Sequence, residues 1–324
     1  MSDFEAKKRD WFLTEPVFRE QMEYWPQSNF FDQEVIEIIH NPIPDRTHSR
    51  RLSSSRTHDA LEHLIIRYSA GEQISSLQTP CRQMLEEFKR HYEMFPEAQM
   101  LYWEADAYQY FMWLLSLAYL FNLPDYLPHI AGWYAHNPES EQDDKLICAL
   151  CKQLGISKFN RPANWLMFDK PYQHLFNALQ VSGAGNKTEA QQHLTEYLKN
   201  WYKGMNGCYW YDRHKGKFAT HFGYWSFEAG MVTVLCGLDD ASYRDMLYYP
   251  KDLVDYAREH FPVNSQPSRY NQRCEAGQAC PREGYWYTPA KANSRRYFKL
   301  GDIMPTLQSD FGATIWQWDS SQPD

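Results

Sequence analysis

The chain has no run of apolar residues long enough to cross a bilayer. A helical span needs about 20, and the most hydrophobic stretch, "YFMWLLSLAYLF" from Tyr110 to Phe121, ends after 12 with Glu104 and Asp106 just upstream. It reads as a buried core helix, and no membrane partner is expected. Positive charge is also in deficit: 33 Lys and Arg face 41 Asp and Glu, for a formal net charge of −8. That balance speaks against a direct nucleic-acid binder held by phosphate contacts and suits a soluble protein, or one with a basic partner. The opening "MSDFEAKKRDWF" lacks the apolar centre of a secretory leader, so the expected location is the cytoplasm. Paired cysteines are missing as well. Seven dispersed Cys, an odd number, point to free thiols in a reducing compartment. Cys148 and Cys151 form a single C-x-x-C with no second pair to complete a zinc site, and Cys274 and Cys280 have no zinc-knuckle spacing. No H-E-x-x-H, EF-hand, P-loop, G-x-S-x-G or dinucleotide fingerprint occurs. Neither a metal nor a cofactor is expected.

What the chain has in quantity is aromatic residues, 16% of 324, with 12 Trp and 23 Tyr. These bury large areas while carrying a polar end that needs a partner. Helical periodicity dominates: Val35, Ile36, Ile38 and Ile39; Leu61, Leu64, Ile65 and Tyr68; Leu194, Tyr197, Leu198 and Trp201 each form an apolar stripe. Between the first two, the stretch 43–57, "IPDRTHSRRLSSSRT", is expected to be a polar loop. A capping signal at Thr188 opens the third stripe. A further helix is expected from about Phe222 to Cys236, closed by Gly237, and another from Pro250. After Pro262 the chain turns to Gly, Pro and Asn with short aromatic runs, "YWYTP", "RRYFKL" and "ATIWQW", which read as strands joined by turns. The expected fold is mainly α, a multi-helix bundle with a small C-terminal β module. Its parts are 1–57, short helices and a polar loop; 58–262, a helical domain; and 263–324, the β-rich module.

The stretch "HFGYWSFEAG", His221 to Gly230, sets one carboxylate among four aromatic rings. On a helix Glu228 shares a face with Tyr224, Trp225, Met231 and Val232. A carboxylate buried there needs hydrogen-bond donors, and Tyr and Trp supply them. Glu228 is therefore expected to tie together an aromatic network. A hydrolase reading would recruit Asp212, His214, His221 and Glu228 as a metal site or acid–base set.

The run "HFGYWSFEAGMVTVLCGLDDASYRDMLYYPKDLVDYAR" resembles the C-terminal half of the PoNi family (the DUF1910/DUF1911 type), immunity proteins against PoNe-type nuclease toxins. The matching positions are Phe222, Gly223, Tyr224, Trp225, Glu228, Ala229, Asp239, Asp240, Tyr248, Tyr249, Pro250, Asp252, Leu253 and Val254. Upstream, Tyr68, Ser69, Gly71 and Glu72 are similar to a "YSxGe" segment of the N-terminal half. The tail, from "GQACP" to "IWQW", is similar to a Trp-rich module of longer immunity proteins of the Imm71 and Imm72 type and of type VI secretion loci. The resemblance implies a helical, non-catalytic inhibitor whose partner is a cognate effector toxin domain, bound so as to block its active site or substrate access. An adaptor of a secretion apparatus is the alternative suggested by the tail, and homodimer formation is left open.

The family motif assigns no toxin-contacting residue. Charge clustering singles out Glu139, Glu141, Asp143 and Asp144, then Asp239 and Asp240, as the expected docking surface; the plainer reading of the first four is a solvated helix start. Gly223, Tyr224, Trp225, Glu228, Tyr248, Tyr249 and Pro250 are expected to be structural.

Overall fold

The computed structural model describes residues 3–28, 30–42, 45–101, 103–136, 142–156, 158–159, 161, 163–260, 273–278, 280, 283–289, 291, 293–299, 301–307 and 314–319. The chain is mainly helical and separates into two compact units, one of residues 1–149 and 158–260, the other of 150–157 and 261–324.

In the first unit, short helices α1 (Asp3–Lys7), α2 (Glu15–Tyr24) and α3 (Gln33–His40) precede a long antiparallel pair, α4 (Arg46–Ser69) and α5 (Ile74–Met94). Then follow α6 (Ala105–Leu120), α7 (Leu127–Trp133), α8 (Lys145–Gln153, which runs into the second unit), α9 (Asp169–Gly183), α10 (Lys187–Gly204), α11 (Phe227–Leu235) and α12 (Lys251–His260). The apolar run centred on Trp113 forms α6, which is covered by α5, α7, α11 and α12. A helix apolar all round needs such neighbours. Helices α9 and α10 pack as a hairpin.

Three local expectations change. The polar stretch 43–57 is helical from Arg46 onward, the first half of α4. Asp45 caps it by accepting from the His48 N–H at 2.9 Å, and its polar side chains find partners inside the bundle. Ser49 Oγ reaches Ile38 O at 3.0 Å, Ser53 Oγ meets His91 Nδ1 at 2.9 Å, and Arg56 bonds Phe30 O and pairs with Glu87. A helix seated through polar contacts carries no hydrophobic period to read. The cap of α10 is Asn186, accepting from Glu189 N at 3.2 Å, and not Thr188. Helix α11 starts only at Phe227, because residues 222–226 are held extended by other segments.

The second unit contains an antiparallel sheet of order β1-β4-β2-β3, with β1 Arg273–Glu275, β2 Gly284–Tyr287, β3 Arg296–Phe298 and β4 Ile315–Trp318. Trp286, Trp316, Phe298, Met304, Cys274 and Cys280 make its core. So small a core depends on bulky rings, and the Trp316 N–H is satisfied by Pro305 O at 2.8 Å. Cys81, Cys148, Cys208 and Cys236 are thiols outside any disulfide.

Candidate functional site

The motif residues assemble into a buried knot around the extended segment 221–226. Its first strand of support is the N-terminal hook. Arg9 N and Asp10 N both donate to Ser69 O, at 2.7 and 3.1 Å. The buried Asp10 carboxylate then accepts from Phe12 N (2.8 Å), Leu13 N (2.7 Å) and Tyr224 N (3.1 Å) and meets His221 Nε2 at 2.9 Å. Ser69 Oγ lies 2.7 Å from Phe222 O and accepts the Trp225 indole N–H at 2.8 Å. The Trp113 indole donates to Trp225 O at 2.9 Å, and Ser226 N donates to Tyr248 O at 2.9 Å. Every support comes from a different element, so the segment cannot continue α11 backwards into a helix.

Glu228 follows at the start of α11, fully buried. Its Oε1 accepts from Tyr197 OH at 2.7 Å, the Trp201 indole at 2.6 Å and Ser226 Oγ at 3.1 Å. Burial pushes its carboxyl above the ordinary value; the bonds from Tyr197, Trp201 and Ser226 oppose that shift without cancelling it. Trp210 stacks between Trp201 (5.5 Å) and Trp113 (5.4 Å) and connects the carboxylate to α6. Gly230 lets Pro250 approach, since a Cβ there would stand 2.8 Å from the Pro250 ring.

Of the residues of the hydrolase reading, His214 and His221 lie together, ring centres 6.0 Å apart and both packed on Tyr224, and each member has its own hydrogen-bond partner. His221 is held by Asp10, His214 Nδ1 by Tyr224 OH at 2.8 Å, and Asp212 by Tyr202 OH at 2.6 Å and Lys215 at 2.9 Å. Glu228 has its own separate set of donors. Among the described residues no group of three or more His, Cys, Asp or Glu could hold a metal.

The acidic candidates sit in differing surroundings. Glu139 and Glu141 lie outside the described residues. Asp143 is only 4% exposed and bonds Arg161 at 2.6 Å and His136 at 2.8 Å. Burial raises its carboxyl, but those two partners outweigh burial and hold it below its ordinary value. Asp144, 6% exposed, caps α8 through Leu146 N (2.9 Å) and Ile147 N (3.1 Å) and also accepts from Met167 N at 2.8 Å. Asp240 is buried against Arg258 (2.9 Å), Tyr249 OH (3.0 Å) and Arg244 (3.1 Å). Helix caps and ion pairs have consumed these charges. Asp239 alone of the described four is exposed, its side chain accepting from Ala241 N at 3.0 Å.

A cleft of about 280 Å³ opens over the knot, walled by the hook and by Tyr224, Trp225, Tyr248 and Tyr249, with Trp11 (74% exposed) and Leu247 at its rim. Its cations are all engaged: Lys7 with Asp3, Lys8 with Glu5, Arg9 with Asp252, Arg244 with Asp240 and Lys251 with Asp245. The cleft is a seam that closes on itself electrostatically.

Asp10, the hub of the hook, has no sequence signature: it is one charge in "AKKRDWF". Asp10→Ala strips the acceptor from three backbone N–H groups and from His221. The expected loss is about 2–4 kcal/mol of stability, read as a lower urea midpoint, with Asp10→Asn recovering part of it.

Residues 9–131 match the family model described as PoNe immunity protein (PoNi), N-terminal, and residues 142–253 match its counterpart, PoNe immunity proteins (PoNi), C-terminal. No curated protein matches the chain. The fold is similar to the crystal structure of protein PA2201 from Pseudomonas aeruginosa, at 15% identity and a TM-score of 0.55 over 76% of this chain and 87% of that one. At that identity the likeness concerns the fold alone.

Proposed function

The chain belongs to the PoNi family of PoNe immunity proteins, and we propose that it neutralises a cognate effector toxin by binding it one to one and covering its active site or the path of its substrate. The observation that carries this reading is the match of both family halves, spanning residues 9–131 and 142–253. The geometry supports a binder over a catalyst: the side chains of Asp10, Ser69, Trp225 and Glu228 each make hydrogen bonds that hold the fold together. The reading extends to a nuclease effector of a type VI secretion system, met in the cytoplasm. A formal net charge of −8 supports that extension, since a nuclease is basic where it meets phosphate and an acidic inhibitor is drawn to the same surface. Among the described residues no helix is long and apolar enough to cross a membrane.

The test is protection. Bacteria induced to make the toxin encoded beside this chain should survive when the chain is co-expressed. Survival should fall away once toxin exceeds the chain in amount, because a stoichiometric inhibitor does not turn over. Death of cells containing abundant, folded chain would overturn the reading.

A further inference from the structure

One groove of the helical unit carries charge that the fold does not use. It lies between α2, α4 and the segment 213–220, with a volume of about 350 Å³. Three carboxylates line it, Glu20, Asp59 and Glu62, against one cation, Arg213. Arg213 is bound to Glu62 at 3.1 Å, and Glu62 also accepts from Tyr209 OH at 2.7 Å. Neither Glu20 nor Asp59 has a hydrogen bond or ion pair among the described residues, although Asp59 is half-buried. Arg56, whose charge bears on Asp59, makes its hydrogen bond to Phe30 O and its ion pair to Glu87. The rim is aromatic and open to solvent: Tyr24 is 64% and Phe218 80% exposed. One wall is the indole of Trp25 stacked on His63, ring centres 3.8 Å apart and planes nearly parallel at 6°. Burial, and secondarily the charge of Arg67, push the His63 imidazole down to about 4, so at neutral pH it adds no positive charge to the wall.

A half-buried carboxylate without a hydrogen-bond partner costs the folded state free energy, and the cation whose charge bears on it, Arg56, is itself paired with Glu87. An incoming guanidinium would supply the missing hydrogen bonds bidentately and lay its plane on the exposed rings. We infer that this groove is the seat for an arginine side chain of the toxin, with Asp59 and Glu20 as its acceptors and Tyr24, Trp25 and Phe218 as its aromatic clamp. The contrast with the self-paired cleft over the knot favours this face as the electrostatic part of recognition. The identity of the partner rests on the immunity reading; the chemistry of the groove does not.

The full chain, labelled with nitrogen-15, is titrated with a tri-arginine peptide and with the same peptide in citrulline, which keeps shape and loses charge. The Trp25 indole N–H is assigned through Trp25→Phe. Saturable movement of the Trp25 signal by the arginine peptide is expected, with binding at least tenfold weaker for citrulline. The variant Glu20→Gln/Asp59→Asn should lose at least tenfold in affinity while its melting temperature stays level or rises, since no internal partner is lost. Absence of movement, equal response to citrulline, or undiminished binding by the variant would each overturn the assignment. Because no toxin enters the titration, its failure leaves the immunity reading standing. Failure of the protection test would leave the groove chemistry standing.

Discussion

Gly223→Ala is expected to destabilise the helical unit by about 4 kcal/mol or more, enough to remove most of the margin of an ordinary domain. Gly223 has φ +130°, a conformation that residues with a Cβ rarely adopt, and an added Cβ would stand 2.0 Å from Ser69 Oγ and 2.8 Å from the Trp225 indole nitrogen. Those two atoms are the partners of one buried hydrogen bond. The substitution therefore imposes backbone strain of about 1–3 kcal/mol and breaks a bond whose ends have no water to turn to. Gly185→Ala provides the control. It has φ +88° and open space at its Cβ, so it should cost only about 1 kcal/mol. Adding Ser69→Ala to Gly223→Ala should recover part of the loss by removing the nearest atom, leaving the φ strain in place. Urea unfolding of the four proteins decides the matter; similar midpoints for Gly223→Ala and Gly185→Ala would refute the knot as described.

Glu228→Ala should cost about 3–5 kcal/mol, because it leaves the Tyr197 hydroxyl, the Trp201 indole and the Ser226 hydroxyl buried without their shared acceptor. Glu228→Gln keeps an acceptor oxygen and should cost about 1 kcal/mol or less. The two variants also separate in their pH behaviour. The folded carboxyl titrates above its ordinary 4.5, chiefly because of burial, so the folded state holds its proton more tightly than the unfolded chain. The resulting stability is fully present below about pH 4.5 and is lost as pH rises through the folded value. Wild type should therefore decline against Glu228→Gln on going from acid to neutral pH, whereas a parallel pair of profiles would contradict the burial argument. A Glu228→Gln chain that is fully stable and yet fails to protect cells would instead make Glu228 part of recognition.

Helix α6 was legible because its burial is nearly complete: an apolar run of this length with charges only at its edge has one sensible place, the core. The β-rich tail was legible from its alternating aromatic residues and turn chemistry. The first half of α4 was not, since Ser49, Ser53 and Arg56 bury polar groups against α3, α5 and the loop at Phe30, and hydrophobic periodicity is blind to such packing. Residues 222–226 were read as helix because the sequence suits one; what keeps them extended is hydrogen bonding to Asp10, Ser69, Trp113 and Tyr248, all distant in sequence. The structural expectation for Glu228 rested on the chemistry of its neighbours, yet the donors include Tyr197 and Trp201 from α10, which no local pattern links to it. Charge clustering does not separate display from internal pairing for a similar reason. A run of Asp near a helix start has two uses, capping and display, and Asp143 and Asp144 are spent on pairing and capping. The two carboxylates of the α2–α4 groove, Glu20 and Asp59, lie 39 positions apart and form no cluster in the sequence.

Titration calorimetry of the purified chain against the purified toxin domain encoded beside it tests the central claim most directly. The account predicts a saturable one-to-one complex of nanomolar affinity or tighter, weakened as salt is raised, with toxin activity falling in step with occupancy. Loss of toxin activity at a small fraction of one equivalent, or the absence of any complex between two folded proteins, would contradict it.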